Sequence, residues 1–177
     1  MSKAVKHLSY IIRDDEYGTP LTLYFDACHT FNIHPEIDVA ASQFNHVCKR
    51  YFTIADDALT KEWNVDFYMN PPYSKVAKFI EYAYKQHRKH NVNCLILTYA
   101  KTETKWWHGY VEGKAEVHFI KGRMRFFDEW GKIPTYCKNC RKRLSGLEIC
   151  PFCNSKTVKN VAPYPSCFII YRKKLLK

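Results

Sequence analysis

Asn70-Pro71-Pro72-Tyr73 follows the apolar run 65–69 directly, and the four residues together can do a particular kind of chemistry. An amine attached to an aromatic ring is a poor nucleophile, because its lone pair is delocalised into the ring. Acceptors placed on both of its hydrogens draw the nitrogen toward tetrahedral geometry and return that lone pair. The side-chain carbonyl of Asn70 can be one acceptor and the backbone carbonyl of Pro71 the other, both held still because the prolines remove backbone freedom. Tyr73 adds a face on which a planar base can stack. The plainer alternative is an Asn-Pro turn with Tyr73 in the core.

The cysteines form a second group. Cys137 and Cys140, then Cys150 and Cys153, are two Cys-x-x-Cys pairs separated by nine residues. Each pair sets two thiolates on one side of a tight turn, and two such turns complete the four-sulfur shell that zinc accepts. A closed shell has no open position, so a zinc ion here folds the segment rather than catalyses. Two disulfides or four unrelated thiols are the competing readings. Cys28, Cys48, Cys94 and Cys167 sit among apolar neighbours and read as buried thiols.

These groups need a frame. At 177 residues, 46% hydrophobic and 25% charged, the chain has the length and composition of one globular domain. Its formal net charge of +11 favours a polyanionic partner, nucleic acid first. The start of the chain has no apolar core of signal-peptide length and the run 94–100 is too short to cross a bilayer, so the expectation is a cytoplasmic protein with no membrane partner.

Apolar spacing predicts a helix over 21–31 after the break Gly18-Thr19-Pro20, then a short strand over 36–42. Ser42 reads as the cap of a further helix with Phe44, Val47, Cys48 and Tyr51 on one face. A short strand over 51–54, a strand over 65–69, a helix from Ser74 and an apolar strand over 94–99 follow. Strands apolar on both faces and alternating with helices indicate a parallel sheet covered on both sides. The run 166–171 needs neighbours in that sheet, so 132–160 is predicted as an insertion between two strands of a domain formed by 1–131 and 161–177. The insertion carries seven Lys or Arg residues against Glu148 alone.

Asn70-Pro71-Pro72-Tyr73 is similar to the signature of S-adenosylmethionine-dependent methyltransferases that act on amino groups. The surroundings resemble the phage-type DNA N6-adenine methyltransferase family: Gly18-Thr19-Pro20, Ile37-Asp38-Val39-Ala40-Ala41-Ser42, Asp57-Ala58-Leu59, the tetrapeptide, residues 102–107, and Gly122-Arg123-Met124-Arg125-Phe126. The likeness runs over about 17–127, resumes at Pro165 and omits the cysteine-rich insertion.

The resemblance implies an α/β fold: a Rossmann-like class I methyltransferase sheet, reduced, with a small zinc-knuckle insertion before the last strand. It implies methyl transfer to the adenine amino group of double-stranded DNA, with the base flipped out of the duplex, in the host cytoplasm if the chain is viral. RNA or a protein amide is the alternative substrate, and a non-catalytic nucleic-acid-binding protein the alternative class. In the implied site Asn70, Pro71, Pro72 and Tyr73 are catalytic. Thr19, Pro20, Asp38, Ala40, Asp57 and Asn70 line the cofactor pocket, with Asp38 near the cofactor's amino-acid or ribose portion and Asp57 near its adenine. Arg123, Arg125, Arg141, Lys142 and Arg143 are the candidate DNA contacts, and zinc the structural metal.

One departure stands out. The chain has no glycine between Gly18 and Gly109, so Ala40-Ala41 must provide the close approach that a glycine-rich turn gives elsewhere. The short span 38–65 also predicts a sheet with one strand-helix unit missing. The sequence sets no oligomeric state and no recognition motif.

Overall fold

The computed structural model describes residues 18–128, 131–159 and 162–174. The start of the chain, read above for a leader, and the insertion boundary at 160 and 161 lie outside the described residues. Helix α1 (Leu21–Phe31) opens the described chain, followed by β1 (Ile37–Asp38), β2 (Arg50–Tyr51), β3 (Phe67–Met69), α2 (Val76–His90), β4 (Cys94–Tyr99), α3 (Lys105–Tyr110) and β5 (Glu116–Phe119). Three short strands, β6 (Thr135–Cys137), β7 (Arg143–Leu144) and β8 (Thr157–Lys159), form a separate small sheet, and β9 (Ser166–Tyr171) returns to the main one.

The main sheet has the order β2-β1-β3-β4-β9-β5. Its first four strands are parallel, but β9 runs antiparallel to both β4 and β5. The parallel arrangement expected from the sequence holds for these four strands, and β9, one strand in from the edge, is reversed. β9 is reached from the carboxyl end of β5 without a helical crossover, and a chain that turns back at a sheet end can only pair antiparallel.

Side chains alternate across the sheet with period two. Phe67, Met69, Cys94, Ile96, Cys167 and Ile169 face a core built with Phe79, Ile80 and Ala83 of α2 and Trp106 and Trp107 of α3. Tyr68, Leu95, Leu97, Phe168 and Ile170 face the other core, which α1 covers with Tyr24, Ala27 and Cys28, helped by Met124 and Phe126. Both long helices stop at an asparagine in the left-handed conformation, Asn32 (φ 50°) after α1 and Asn91 (φ 52°) after α2. Cys28, Cys48, Cys94 and Cys167 are all buried.

No helix forms after Ser42. Local side chains take the amides that a helix would have used. The Asn45 Oδ1 accepts from the Ser42 amide at 2.6 Å, and the Ser42 Oγ accepts from Phe44 at 3.2 Å. Asp38 completes the alternative: its Oδ1 accepts from the Ala40 amide and its Oδ2 from the Val47 amide, both at 3.2 Å. The loop 39–47 is thereby folded around one carboxylate, Tyr51 becomes part of β2, and Phe44 is left exposed. Between β2 and β3 the described chain makes only the 3-10 turns Ile54–Asp56 and Ala58–Thr60, so the predicted absence of a strand-helix unit holds.

Asp38 is 2% exposed, and burial raises its pKa to about 6 against the opposing pull of the Val47 and Ala40 amides and His46. An acid whose folded pKa lies above the ordinary ~3.9 favours folding when protonated. Its contribution is full below pH ~4 and is lost as pH rises to about 6, a span worth ~3 kcal/mol. The Asp38 carboxyl carbon followed by NMR is expected to titrate near pH 6. Titration near 4 would place this carboxylate in contact with water instead.

Candidate active site

The strand order locates the site before any side chain is considered. From β1 the chain goes to β2 on one side, and β3 then pairs on the other side of β1. The carboxyl ends of β1 and β3 therefore flank the point where the order reverses, and ligands of open α/β sheets bind in the crevice outside such a point. Asp38 ends β1 and Asn70 follows β3. The register pairs Asp38 with Tyr68, and the Val39 amide donates to the Tyr68 carbonyl at 3.0 Å, so two further steps bring Ala40 level with Asn70.

Pro71 is buried, while Asn70, Pro72 and Tyr73 are half-buried. Neither proline has an amide to extend the ladder, so β3 ends at Met69 and the next turn, Tyr73–Lys75, leads straight into α2. Tyr73 is neither a simple core residue nor a loose surface ring. It lies flat against Tyr99, with centroids 3.7 Å apart and planes at 5°, and meets the edge of Phe126 at 6.2 Å.

Thr19 is brought to Asn70 from 51 residues away in the chain. The Asn70 Nδ2 donates to the Thr19 Oγ1 at 3.2 Å, and the same oxygen lies 2.6 Å from the Tyr68 hydroxyl. Because the nitrogen end of the amide faces Thr19, the carbonyl Oδ1 is the opposite end. Gly18 holds this segment in place: it exchanges two backbone hydrogen bonds with Phe127, at 2.7 and 3.2 Å. A Cβ on Gly18 would meet the Cβ of Asn45 at 3.2 Å, so the segment is packed against the loop after β1 as well. Tyr68 has no signal in the motif itself; its period-two relation to Asn70, which puts both on the α1 face, was the sign that could have found it.

The other candidate cofactor residues are distributed around the same edge. Pro20 is half-buried at the entry to α1, Ala40 is half-buried with its amide on Asp38, and Asp57 stands exposed after β2. Ile54, in the same loop as Asp57, is 92% exposed, a large apolar side chain set out at the carboxyl edge that the sequence did not single out. Asp38 directs both oxygens to loop amides, so its visible work is shaping the turn.

The insertion leaves from this edge too. β5 is antiparallel to β9, and β9 is antiparallel to β4, so β5 points the same way as β3 and its end lies on the Asn70 side. The segment 122–127 follows β5, with Met124 and Phe126 buried and Arg123 and Arg125 exposed. The Arg123 Nη1 donates to the Pro163 carbonyl at 2.8 Å, tying this segment to the return from the insertion.

Within the insertion, one ligand atom from each of Cys137, Cys140, Cys150 and Cys153 lies within 4.8 Å of all the others. The two cysteine turns repeat one backbone design. In the first, the Arg141 amide donates to the Cys137 carbonyl at 2.8 Å and the Cys137 amide to the Lys142 carbonyl at 2.9 Å. In the second, Asn154 donates to Cys150 and Cys150 to Ser155, each at 2.9 Å. The fifth residue of each turn is left-handed, Arg141 at φ 58° and Asn154 at φ 56°. Lys142 sets its ammonium 4.4 Å above the Phe152 ring, so part of its charge is used inside the module. A groove of about 560 Å³ elsewhere in the insertion is lined by Lys132, Lys156 and Lys159 together with Glu148, Thr135 and Thr157. The sequence counted these lysines in the charge of the insertion without choosing them.

Among the described residues no helix is long and apolar enough to cross a membrane. The chain matches the family described as DNA N-6-adenine-methyltransferase (Dam) over residues 9–144. It is similar to the DNA N-6-adenine-methyltransferase of Haemophilus phage HP1 (strain HP1c1), with 31% identity over 107 residues, 60% of this chain and 62% of that protein. A protein of the same name from Escherichia phage T1 is 31% identical over 88 residues, 49% of this chain and 37% of the relative. These matches span less than two thirds of either relative. With the family match covering well over half of the chain, and with Asn70-Pro71-Pro72-Tyr73 seated at the switch point of its sheet, the protein belongs to the DNA N-6-adenine-methyltransferase (Dam) family.

Proposed function

We propose that this chain transfers a methyl group from S-adenosylmethionine to the exocyclic amino group of adenine in double-stranded DNA, in the cytoplasm of the cell that holds that DNA. The observation that carries the reading is Asn70 at the carboxyl end of β3, with its Nδ2 hydrogen-bonded to the Thr19 Oγ1 and its backbone stopped by two prolines.

The residues at the strand ends fit the proposed cofactor. Ala40 and Ala41 are small, and the Asp38 carboxylate draws the loop in tightly enough to do without glycine. Exposed Ile54 offers an apolar seat for a planar ring, and Asp57 a carboxylate beside it. Thr19 and Pro20 line the side toward α1. S-adenosylmethionine supplies an electrophilic methyl carbon on a sulfonium sulfur.

The chain's own part is to make the amine nucleophilic and to aim it. Asn70 Oδ1 accepts one amine hydrogen and the Pro71 carbonyl the other, so the nitrogen lone pair turns out of the ring plane. As the N–C bond forms, the C–S bond breaks with its electron pair going to the leaving thioether. Positive charge grows on the nitrogen, two fixed carbonyl dipoles meet it without reorganising, and the nitrogen then loses one proton to water. Tyr73 stacks on the flipped base, and its contact with Tyr99 fixes the plane of the ring.

The four cysteines fit zinc. Cys137 and Cys153 have their sulfurs 3.4 Å apart, as do Cys140 and Cys150, close to the ~3.8 Å edge of a tetrahedron with Zn–S bonds of ~2.3 Å. The metal would hold the module, and its basic face would lie against the DNA backbone beside the target base. Arg141, Arg143 and the groove lysines supply that face, with Arg123 and Arg125 on the exposed side of 122–127.

Asn70→Ala is expected to lower methyl transfer to duplex DNA by ~100-fold or more while leaving the thermal midpoint within a few degrees, since a half-buried residue at a strand end carries little packing. Tyr73→Phe keeps the stacking face and should be mild, Tyr73→Ala severe. Near-normal turnover in Asn70→Ala would end the assigned mechanism.

Zinc removal by a strong chelator is expected to unfold 137–153 and to leave the sheet intact, because β9 pairs with β4 and β5 without help from the insertion. Replacing Lys132, Lys156 and Lys159 with glutamine should weaken duplex binding and flatten its salt dependence by up to ~1 unit of slope per lost phosphate contact. Unchanged affinity and slope with zinc still bound would make the insertion a structural clip.

A further inference from the structure

Asn70 reaches its partner across the fold. Thr19 is 8% exposed and Tyr68 1%, so the three polar groups that meet there do so largely away from water. The position of the Thr19 hydroxyl is set from both sides. Before it, Gly18 is fixed by its paired hydrogen bonds with Phe127. After it, Pro20 is restricted by its ring and accepts from the Tyr24 amide at 3.1 Å as α1 begins. Tyr68 is equally restrained, because β1 and β4 bracket its backbone and Tyr24 packs against its ring edge-on at 5.1 Å. Burial raises the Tyr68 pKa well above the ordinary phenol value, so the group stays a neutral hydroxyl at every pH at which the protein works.

A carboxamide is nearly symmetric in shape, and a turn of the terminal torsion exchanges its donor and acceptor ends. With the wrong end forward, Asn70 would present N–H groups to an amine that itself needs acceptors. The choice between the two is therefore decisive for the chemistry, and the strand and prolines do not make it. The hydroxyl bonded to the amide nitrogen is that of Thr19, and when Thr19 donates its proton to the Tyr68 oxygen across the 2.6 Å contact it has only lone pairs left to offer Asn70, which suits the Nδ2 end alone.

We propose that Thr19 and Tyr68 are positioning residues for methyl transfer, a hydrogen-bonded pair that selects the carbonyl-forward orientation of Asn70. The proposal rests on the reading of Asn70 as the acceptor for the target amine. It also gives the Thr19 hydroxyl a different task from lining the cofactor pocket. As the amine becomes positive and bonds more strongly to Oδ1, the opposite end of the amide becomes a better donor, so the Nδ2–H···Oγ1 bond strengthens together with it.

Thr19→Val keeps the shape and removes the acceptor. With duplex DNA and labelled S-adenosylmethionine, kcat is expected to fall ~10- to 100-fold, the usual scale for losing a group that orients a catalytic one, with the cofactor dissociation constant within ~2-fold of the parent. Thr19→Ser should restore most of kcat, and Tyr68→Phe should lower it less than Thr19→Val does. In the 15N-labelled protein the two Asn70 side-chain amide protons should be well separated and slow to exchange, and should converge and exchange faster in Thr19→Val. A raised cofactor KM with unchanged kcat would return Thr19 to the cofactor pocket and overturn the proposal. Unaltered Asn70 amide resonances in Thr19→Val would overturn it as well, and that readout stands whether or not the parent protein methylates DNA. An inactive parent enzyme would instead count against the proposed function alone.

Discussion

The absence of two amide hydrogens governs this site. Pro71 and Pro72 cannot continue the ladder that Phe67–Met69 makes with β1 and β4, so the strand must stop where the sheet reverses its order. That stop puts Asn70 at the rim rather than in the sheet, and the next residues turn at once into α2. Everything else at the rim is arranged around the stopped strand. Thr19 arrives from before α1, the Asp38 loop folds alongside, and 122–127 passes with its arginines outward. Backbone restriction and one hydroxyl thus fix the place of Asn70 at the rim.

The direction of β9 has the second large consequence. Because it runs antiparallel between β4 and β5, the connection from β5 to β9 starts and ends on the Asn70 side of the sheet. The insertion therefore leaves and returns at that edge, and its small sheet and the core around Cys137, Leu144 and Cys150 are separate from those of the main sheet. Its two turns differ in one respect: the left-handed position holds Asn154 in the second and Arg141 in the first. Asparagine tolerates that conformation, whereas arginine at such a φ costs ~1 kcal/mol. The first turn carries this strain and leaves the Arg141 guanidinium exposed.

Much of the frame was legible in the chain. The helix 21–31 and the strands 94–99 and 166–171 agree with Leu21–Phe31, Cys94–Tyr99 and Ser166–Tyr171, because strong periodicity and clear breaks define them. The segment after Ser42 was misread for a physical reason. Phe44, Val47, Cys48 and Tyr51 do have helical spacing, but Asp38, Ser42 and Asn45 compete for the same amides, and Asp38 acts from nine residues away, beyond any local rule. The direction of the strand 166–171 is not written in its own residues, because a fully buried strand is apolar on both faces in either direction. At the site, the motif named Asn70 and Tyr73, and the family resemblance named Thr19 as part of the cofactor pocket. The contact between Thr19 and Asn70, the Tyr68 hydroxyl behind it and the Tyr73–Tyr99 stack depend on tertiary pairing and appear only in the fold.

The central claim concerns which amine Asn70 receives. The most direct test offers labelled S-adenosylmethionine to the protein with duplex DNA, RNA and bulk protein in parallel reactions, followed by digestion and identification of the labelled product. Label recovered as N6-methyladenine from duplex DNA is the predicted result. Label confined to RNA or to protein, or no transfer to any of the three from a protein that binds the cofactor, would contradict it.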